Sequence, residues 1–283
     1  MERNPYVPDV HFEQIPIKNL VSNQDYQRHL SQDHIRRAAE HFNLCQINPV
    51  KVSRRQGINY VFNGQHTIEI VALVSGTRDT PVWGMVYDEL EYEQEADIFA
   101  NQQRFVKKLL PYEIFAANIE AGNDEQLIIK ALVESFDLRI CGNSRPGCIC
   151  CVATLENLYR KYGYDILQRC LRLCIATWEG EADSLTSNIL RGIAHLVAAY
   201  EDALKDDMFV EKVGRFSPRE ISRTAKERKA GSMGYAEAML TFYNKKSTSK
   251  STLKWAKLYE SRGTVYDQSL LPAQDQLSPE EDE

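Results

Sequence analysis

Apolar and polar positions alternate weakly from Phe12 to Ile17, which predicts an opening strand. From Ser31 the period lengthens. Ile35, Ala38, Ala39 and Phe42 stand at i, i+3, i+4 and i+7, one face of an amphipathic helix with Ser31 as its cap. Asn48-Pro49 breaks that helix and starts a short alternating strand, Val50-Lys51-Val52. The turn signal Gln56-Gly57 leads into a partner strand, Ile58 to Phe62, so the two read as a hairpin. After Asn63-Gly64-Gln65-His66-Thr67 come Ile68, Ile70, Val71 and Val74 at helical spacing, then a strand from Pro81 to Tyr87. The resulting β-α-β-β-α-β order predicts a compact α/β domain.

Beyond Tyr92 the pattern is helical. One helix spans Glu93 to Lys108, and Pro111 suits the first turn of the next. Asn123-Asp124-Glu125-Gln126 has the form of a capping box ahead of Leu127, Ile128, Ala131 and Leu132. Cys141 to Gly147 reads as a loop. Three amphipathic stretches follow, at 152–162, 166–177 and 184–200. The last carries Leu185, Ile189, Ile193, Leu196, Val197 and Tyr200 on one stripe. Ser217-Pro218-Arg219-Glu220 combines a Ser cap, Pro at the first helical position and Glu two residues later. Gly231 to Gly234 reads as a turn and Tyr235 to Tyr243 as a further helix. The fold class expected is therefore α+β, a small mixed α/β domain at 10–120 followed by a mainly helical domain at 121–265. The first ten residues read as an arm, and 266–283 as an acidic disordered tail.

Composition changes this picture in two places. No apolar run approaches the roughly 18 residues that span a bilayer, and the N-terminus lacks a secretory-type apolar segment, so a cytoplasmic protein with no membrane partner is expected. Seven cysteines without a regular framework point to reduced thiols. Cys141, Cys148, Cys150 and Cys151 are too irregularly spaced for a structural zinc site, so no metal is assigned, and Cys170 and Cys174 read as core. The net charge is −6, yet between Glu211 and Lys257 twelve basic residues face only four acids. That local excess of eight positive charges keeps a phosphate-bearing partner in view, because its field acts within roughly 10 Å.

The turn at Gly64-Gln65-His66-Thr67 carries the most chemistry. A strand that ends in glycine and opens a helix presents backbone N–H groups and the positive end of the helix dipole to an anion. Glycine also lets a phosphate approach the backbone closely. His66 has two readings: a base or phosphate donor, or a ring that hydrogen-bonds the turn.

The surrounding residues add a resemblance. Ile47-Asn48-Pro49-Val50-Lys51-Val52 followed by Val61-Phe62-Asn63-Gly64-Gln65-His66 resembles the ParB pattern of a Gln-Pro-hydrophobic strand, a hairpin and a Gly-Glu-Arg-Arg turn. Ala100-Asn101-Gln102-Gln103-Arg104, six residues before Pro111-Tyr112-Glu113, looks like the Glu-Asn-x-Gln-Arg box and the Leu-x-Pro-x-Glu that follows it. The chain thus resembles the ParB/sulfiredoxin-like superfamily, and in particular the ParB-like proteins of phages and mobile elements. The Gly-Gln-His turn also resembles the Asp-Gly-Gln-His-Arg motif of a ParB-like group linked to DNA modification. Sulfiredoxin chemistry is set aside, since Gln65 stands where its nucleophilic cysteine belongs.

The resemblance implies a nucleotide or phosphate pocket made of Gly64, Gln65, His66 and Thr67 with Asn101, Gln103 and Arg104, taking a nucleoside triphosphate such as CTP with Mg. It further implies DNA as a partner and a homodimer. Two departures bear on this. His66 and Thr67 replace two arginines, and Ala100 replaces the metal-binding carboxylate.

The basic segment at 211–257 is the candidate DNA contact. Arg219, Arg223 and Lys226 form one helix stripe, and Lys245 and Lys246 follow the next helix in an outline resembling a helix-turn-helix whose turn is longer than usual. Lys250 and Lys254 add further positive charge. The alternative is a solvated helix face. The functional expectation is a ParB-like DNA-associated protein of segregation, replication control or transcription. An NTPase or nuclease-like phosphodiesterase using the same pocket, with His66 and Glu69 as catalytic candidates, is the enzymatic alternative. An adaptor with a vestigial pocket is the third reading.

Overall fold

The computed structural model describes residues 8–22, 26–27, 29–104, 107–245 and 252–260. Residues 1–7 of the expected arm, Lys246, Lys250 and the acidic tail at 266–283 lie outside the described residues, as does the side chain of Gln103. The chain is mixed α/β, with a small sheet ahead of a helical region, and divides into two units, 1–108 and 109–283. The expected boundary at 120 moves forward because Phe115, on the helix after residue 108, is buried in the core of the second unit.

In the first unit, β1 (His11–Pro16), β2 (Leu20–Ser22), α1 (Gln32–Glu40), β3 (Val50–Arg55), β4 (Ile58–Asn63), α2 (Gln65–Ser75), β5 (Pro81–Asp88) and α3 (Tyr92–Arg104) follow one another. The sheet order is β1-β5-β3-β4-β2. β1 runs antiparallel to β5 and β3 antiparallel to β4, whereas β3/β5 and β2/β4 are parallel. Strand β2 escapes sequence reading because three residues are too few to show a period.

Alternation then sorts the side chains. Ile15, Val50, Val52, Val61, Val82 and Val86 form one buried face with Ile68 and Val71 of α2. Ser31 caps α1 as expected, its Oγ accepting from the N–H of His34 at 3.3 Å. Val74, expected on the apolar face of α2, is instead exposed.

Helix α3 is held in this unit by a buried carboxylate. Glu95 is 0% exposed, accepts from the Tyr26 hydroxyl at 3.1 Å and pairs with the Arg55 guanidinium at 3.1 Å. Arg55 also lies over the Tyr60 ring. Tyr26 packs edge-on against Tyr92 and tilted against Phe99, so one end of α3 is fixed by charge and its middle by aromatic contact. Burial, with the Glu95 carboxylate next, pushes the Tyr26 phenol far above its ordinary range.

The second unit contains α4 (Pro111–Glu120), α5 (Asp124–Glu134), β6 (Arg139–Ile140), β7 (Cys148–Ile149), α6 (Val152–Trp178), α7 (Ser187–Tyr200), α8 (Asp206–Val213), α9 (Pro218–Arg228), α10 (Ser232–Asn244) and α11 (Trp255–Glu260). Glu113 closes the start of α4 by accepting from the Leu110 N–H at 2.6 Å. The capping box expected at Asn123 does not form. Asn123 donates to Asn118, and Gln126 reaches Glu156 on α6. The two amphipathic stretches at 152–162 and 166–177 join as α6 with a break at Gly163, whose φ of 80° belongs to the left-handed region.

Cys141 and Cys148 form a disulfide, correcting the expectation of reduced thiols throughout: pairing of β6 with β7 brings their Cα atoms to 5.7 Å. Cys45, Cys150, Cys151, Cys170 and Cys174 are free. Burial pushes the Cys151 thiol up to about 11 and Cys174 to about 12. Cys170 rises well above its ordinary value for the same reason. These three therefore stay protonated and donate to the carbonyls of Leu185, Ser184 and Leu190 respectively for Cys151, Cys174 and Cys170.

Candidate functional site

The Gly64 turn lies where β4 delivers the chain into α2. Gly64 has φ 105°, and a Cβ there would stand 2.6 Å from Val50 Cγ1, so both the conformation and the close approach to β3 require glycine. The first intrahelical bond runs from the Ile68 N–H to the Gly64 carbonyl, which leaves the amides of residues 65 to 67 ahead of the helix's own ladder. Gln27, Asn63, Gly64, Gln65, His66, Thr67 and Phe99 enclose a cavity of about 200 Å³ at this helix start.

Each wall is fixed by a specific contact. Ser22 on β2 donates to Gln65 Oε1 at 3.2 Å. His66 Nε2 accepts from the Ser31 N–H at 3.3 Å, and its ring meets that of His34 edge-on, so His66 ties the start of α1 to the start of α2. Its ring therefore hydrogen-bonds a neighbouring segment, the start of α1. Gln27 is 7% exposed and donates from Nε2 to the Val61 carbonyl at 2.6 Å. That bond fixes which end of the carboxamide is nitrogen and leaves Oε1 buried without a hydrogen-bond partner among the described residues. A buried acceptor left unpaired costs about 1–3 kcal/mol.

Helix α3 does converge on the Gly64 turn, but through other residues than the motif suggested. Phe99 lines the cavity, and Gln102 accepts from the Asn63 side chain at 3.1 Å. Asn101 donates instead to Asp97 one turn back on α3. Neither Asn101 nor Arg104 lines the cavity, and Arg104 is exposed at the helix end. Gln65, His66 and Thr67 do line it.

Sequence reading missed Gln27 and Phe99. Phe99 had a signal, since Tyr92, Ala96 and Phe99 stand at i, i+4 and i+7. Gln27 sits in a non-periodic stretch and had none. Lys51 is the cross-strand partner of Asn63, and burial lowers its ammonium pKa.

Among the described residues, the metal half of the expected ligand does not fit. Glu69 is engaged by both terminal nitrogens of Arg78 at 3.0 and 3.1 Å and does not line the cavity, while Glu113 caps α4. Among the described residues no three His, Cys, Asp or Glu side chains converge to hold an ion. The described residues that line the cavity include no carboxylate for Mg.

In the second unit, Arg219, Arg223 and Lys226 are exposed along α9, behind the capping box made by Ser217 and Glu220. Arg219 is paired with Asp183 at 2.8 Å. Lys245 is exposed and lies over the Phe216 ring. The turn between α9 and α10 is Lys229 to Gly231, shorter than expected because α10 begins at Ser232. Helix α10 is not a surface reader, however. Met233, Ala236, Met239, Leu240 and Tyr243 are buried, and at Gly192 of α7 and Gly234 of α10 the packing is too close for a Cβ. A helix enclosed on this many sides cannot enter a groove.

The fold and cavity define a class: a small mixed α/β unit with a glycine-opened strand-to-helix turn, followed by a helical unit. A family model described as a family of unknown function, DUF6551, matches residues 21–254, and the chain belongs to that family. No curated protein matches the sequence. Among solved structures, the chain is similar to the C-terminally truncated chromosome-partitioning protein ParB from Caulobacter crescentus complexed with CTP-γ-S. Identity is 14%, with 81% of this chain and 99% of that chain covered and a TM-score of 0.35. The same truncated protein complexed to the centromeric parS site gives 13%, 81%, 99% and 0.24. Among the described residues no helix is long and apolar enough to cross a membrane.

Proposed function

We propose that the cavity at the start of α2 receives the phosphate of a nucleotide, and that the chain is a DNA-associated protein whose second unit contacts the DNA backbone. The observation that carries the reading is the Gln27 Oε1 acceptor, buried without a partner among the described residues beside a glycine-opened helix start. The helix start favours an anion, and the acceptor calls for a donor on the same ligand, a pairing that a ribose hydroxyl or base amino group beside a phosphate supplies. A cavity of about 200 Å³ encloses only part of a nucleotide, so the rest extends toward solvent. The motif resemblance to ParB supports CTP as the first nucleotide to try, and the setting it suggests is segregation, replication control or transcription in a mobile element.

The reading is one of binding. Without a carboxylate for Mg among the described residues at the cavity, these residues supply anion recognition and no metal-assisted hydrolysis step is derived. Titration calorimetry with the four NTPs tests the first half: saturable heat for one of them supports it, and no heat at millimolar ligand removes it. For the second half, retention of a DNA duplex must weaken steeply between 50 and 200 mM salt, as backbone binding requires. Retention that ignores salt counts against the α9 stripe.

A further inference from the structure

We infer that the helical unit holds a second, separate phosphate site, built by α6, α7 and the start of α10 and suited to a small phosphomonoester of about the size of a nucleoside monophosphate. A cavity of about 480 Å³ opens there, lined by Asn157, Leu158, Arg160, Lys161, Tyr162, Arg191, His195 and Ser232. That volume falls in the range of small-molecule sites, and its lining holds three cations and no carboxylate.

The central residue is Arg191. It is half-buried on α7, yet no carboxylate, carbonyl or hydroxyl pairs with it among the described residues. Arginines withdrawn from water in a folded chain ordinarily have a partner, and a guanidinium fork facing a cavity matches the geometry of a phosphoryl group. Lys161 contributes a second positive charge, held over the Tyr162 ring and likewise without a carboxylate partner among the described residues. Arg160 differs: Glu125 at 2.7 Å and Glu156 at 3.9 Å neutralise it, so it is a wall and not a ligand.

The polar floor is ordered independently of these charges. His195, one turn along α7 from Arg191, is 9% exposed. Its Nδ1 lies 3.3 Å from the Tyr162 hydroxyl and its Nε2 3.1 Å from Ser232 Oγ. This chain of contacts holds Ser232, the first residue of α10, with its hydroxyl at the cavity and the helix start behind it. Leu158 and Tyr162 supply the apolar side that a sugar or base would rest on. Two cations without a carboxylate partner among the described residues match a monoester dianion better than a diester monoanion, and a recess suits a small molecule better than a duplex.

The test uses the full chain at constant ionic strength, titrated with AMP, CMP, inorganic phosphate and a 15-base-pair duplex. Hydrogen exchange locates any binding. The expected result is saturable binding of a monophosphate, with protection confined to the segments around residues 154–165, 188–198 and 229–235. R191Q should weaken it by about tenfold or more, and R191K, which keeps the charge but loses the fork, by less. Should R191Q fail to fold, the exposed Lys161→Gln serves instead, with an expected loss of roughly threefold. No saturable monophosphate binding, equal binding by R191Q, or binding by the duplex alone overturns the inference. Because the α2 cavity lies in the other unit, protection appearing only at residues 63–75 would support the first site while refuting this one.

Discussion

Replacing Gly64 by alanine tests whether the α2 turn is built as described. The new Cβ meets two obstacles. It is forced into a φ of 105°, where an L-residue is strained by about 1–2 kcal/mol. It also stands 2.6 Å from Val50 Cγ1, 3.0 Å from Val50 Cβ and 3.2 Å from Val50 Cα. Val50 is 1% exposed in the middle of the sheet and cannot yield freely, so overpacking adds about 1–3 kcal/mol. Gly64→Ala should therefore cost roughly 2–5 kcal/mol in urea unfolding. The built-in control is Gly76→Ala at the other end of α2. There φ is 72° and nothing lies within 4 Å of the added Cβ, so only the conformational cost of about 1–2 kcal/mol remains. A double-mutant cycle with Val50→Ala, which removes the nearest atom, should recover roughly 1 kcal/mol of coupling. Equal losses for the two glycine variants, or no coupling to Val50, would refute the reasoning.

Glu95→Gln leaves Arg55 with a neutral partner and should cost roughly 2–4 kcal/mol, less than for a fully buried pair because Arg55 keeps some solvent contact. Urea unfolding reads it, and a loss below about 0.5 kcal/mol would mean the pair does not hold α3. The buried thiols predict an alkaline limit. Their folded pKa values lie above the ordinary value of 9.0, so the stability they carry is complete below that value and declines as pH rises from there toward about 11 to 12. Each thiol contributes a slope of roughly 1.4 kcal/mol per pH unit in that window. Cys174→Ala should flatten the fall between pH 9 and 10.5, and an unchanged slope would contradict the assignment. If α9 contacts DNA, changing Arg219, Arg223 and Lys226 together to Gln should reduce the slope of log affinity against log salt by roughly 2–3. An unaltered slope would place the contact elsewhere.

Much of the architecture could be read from spacing. Ile35 with Ser31, the 50–62 hairpin, the Ser217 capping box and the Leu185–Tyr200 stripe each state a local rule that the packing obeys. What stayed hidden depends on long-range encounters. Gln27 is informative only because β4 offers it the Val61 carbonyl, and no local pattern announces that. Asn101 and Arg104 share a helix face on a wheel, but Tyr26, Glu95 and Phe99 set which face of α3 turns inward, leaving Gln102 to meet Asn63. The pairing of Cys141 with Cys148 follows from two-residue strands too short to detect. The burial of α10 is the clearest case. Gly192 and Gly234 permit a helix approach that hydrophobic periodicity alone could not distinguish from a groove-reading surface.

The most direct test of the nucleotide reading is amide hydrogen exchange across residues 63–75 with and without each NTP. The expected result is slowed exchange of the first-turn amides Gln65, His66 and Thr67 for one nucleotide, accompanied at 100 times Kd by about 2.7 kcal/mol of stabilisation. Unchanged exchange there, whatever binds elsewhere on the chain, would contradict it.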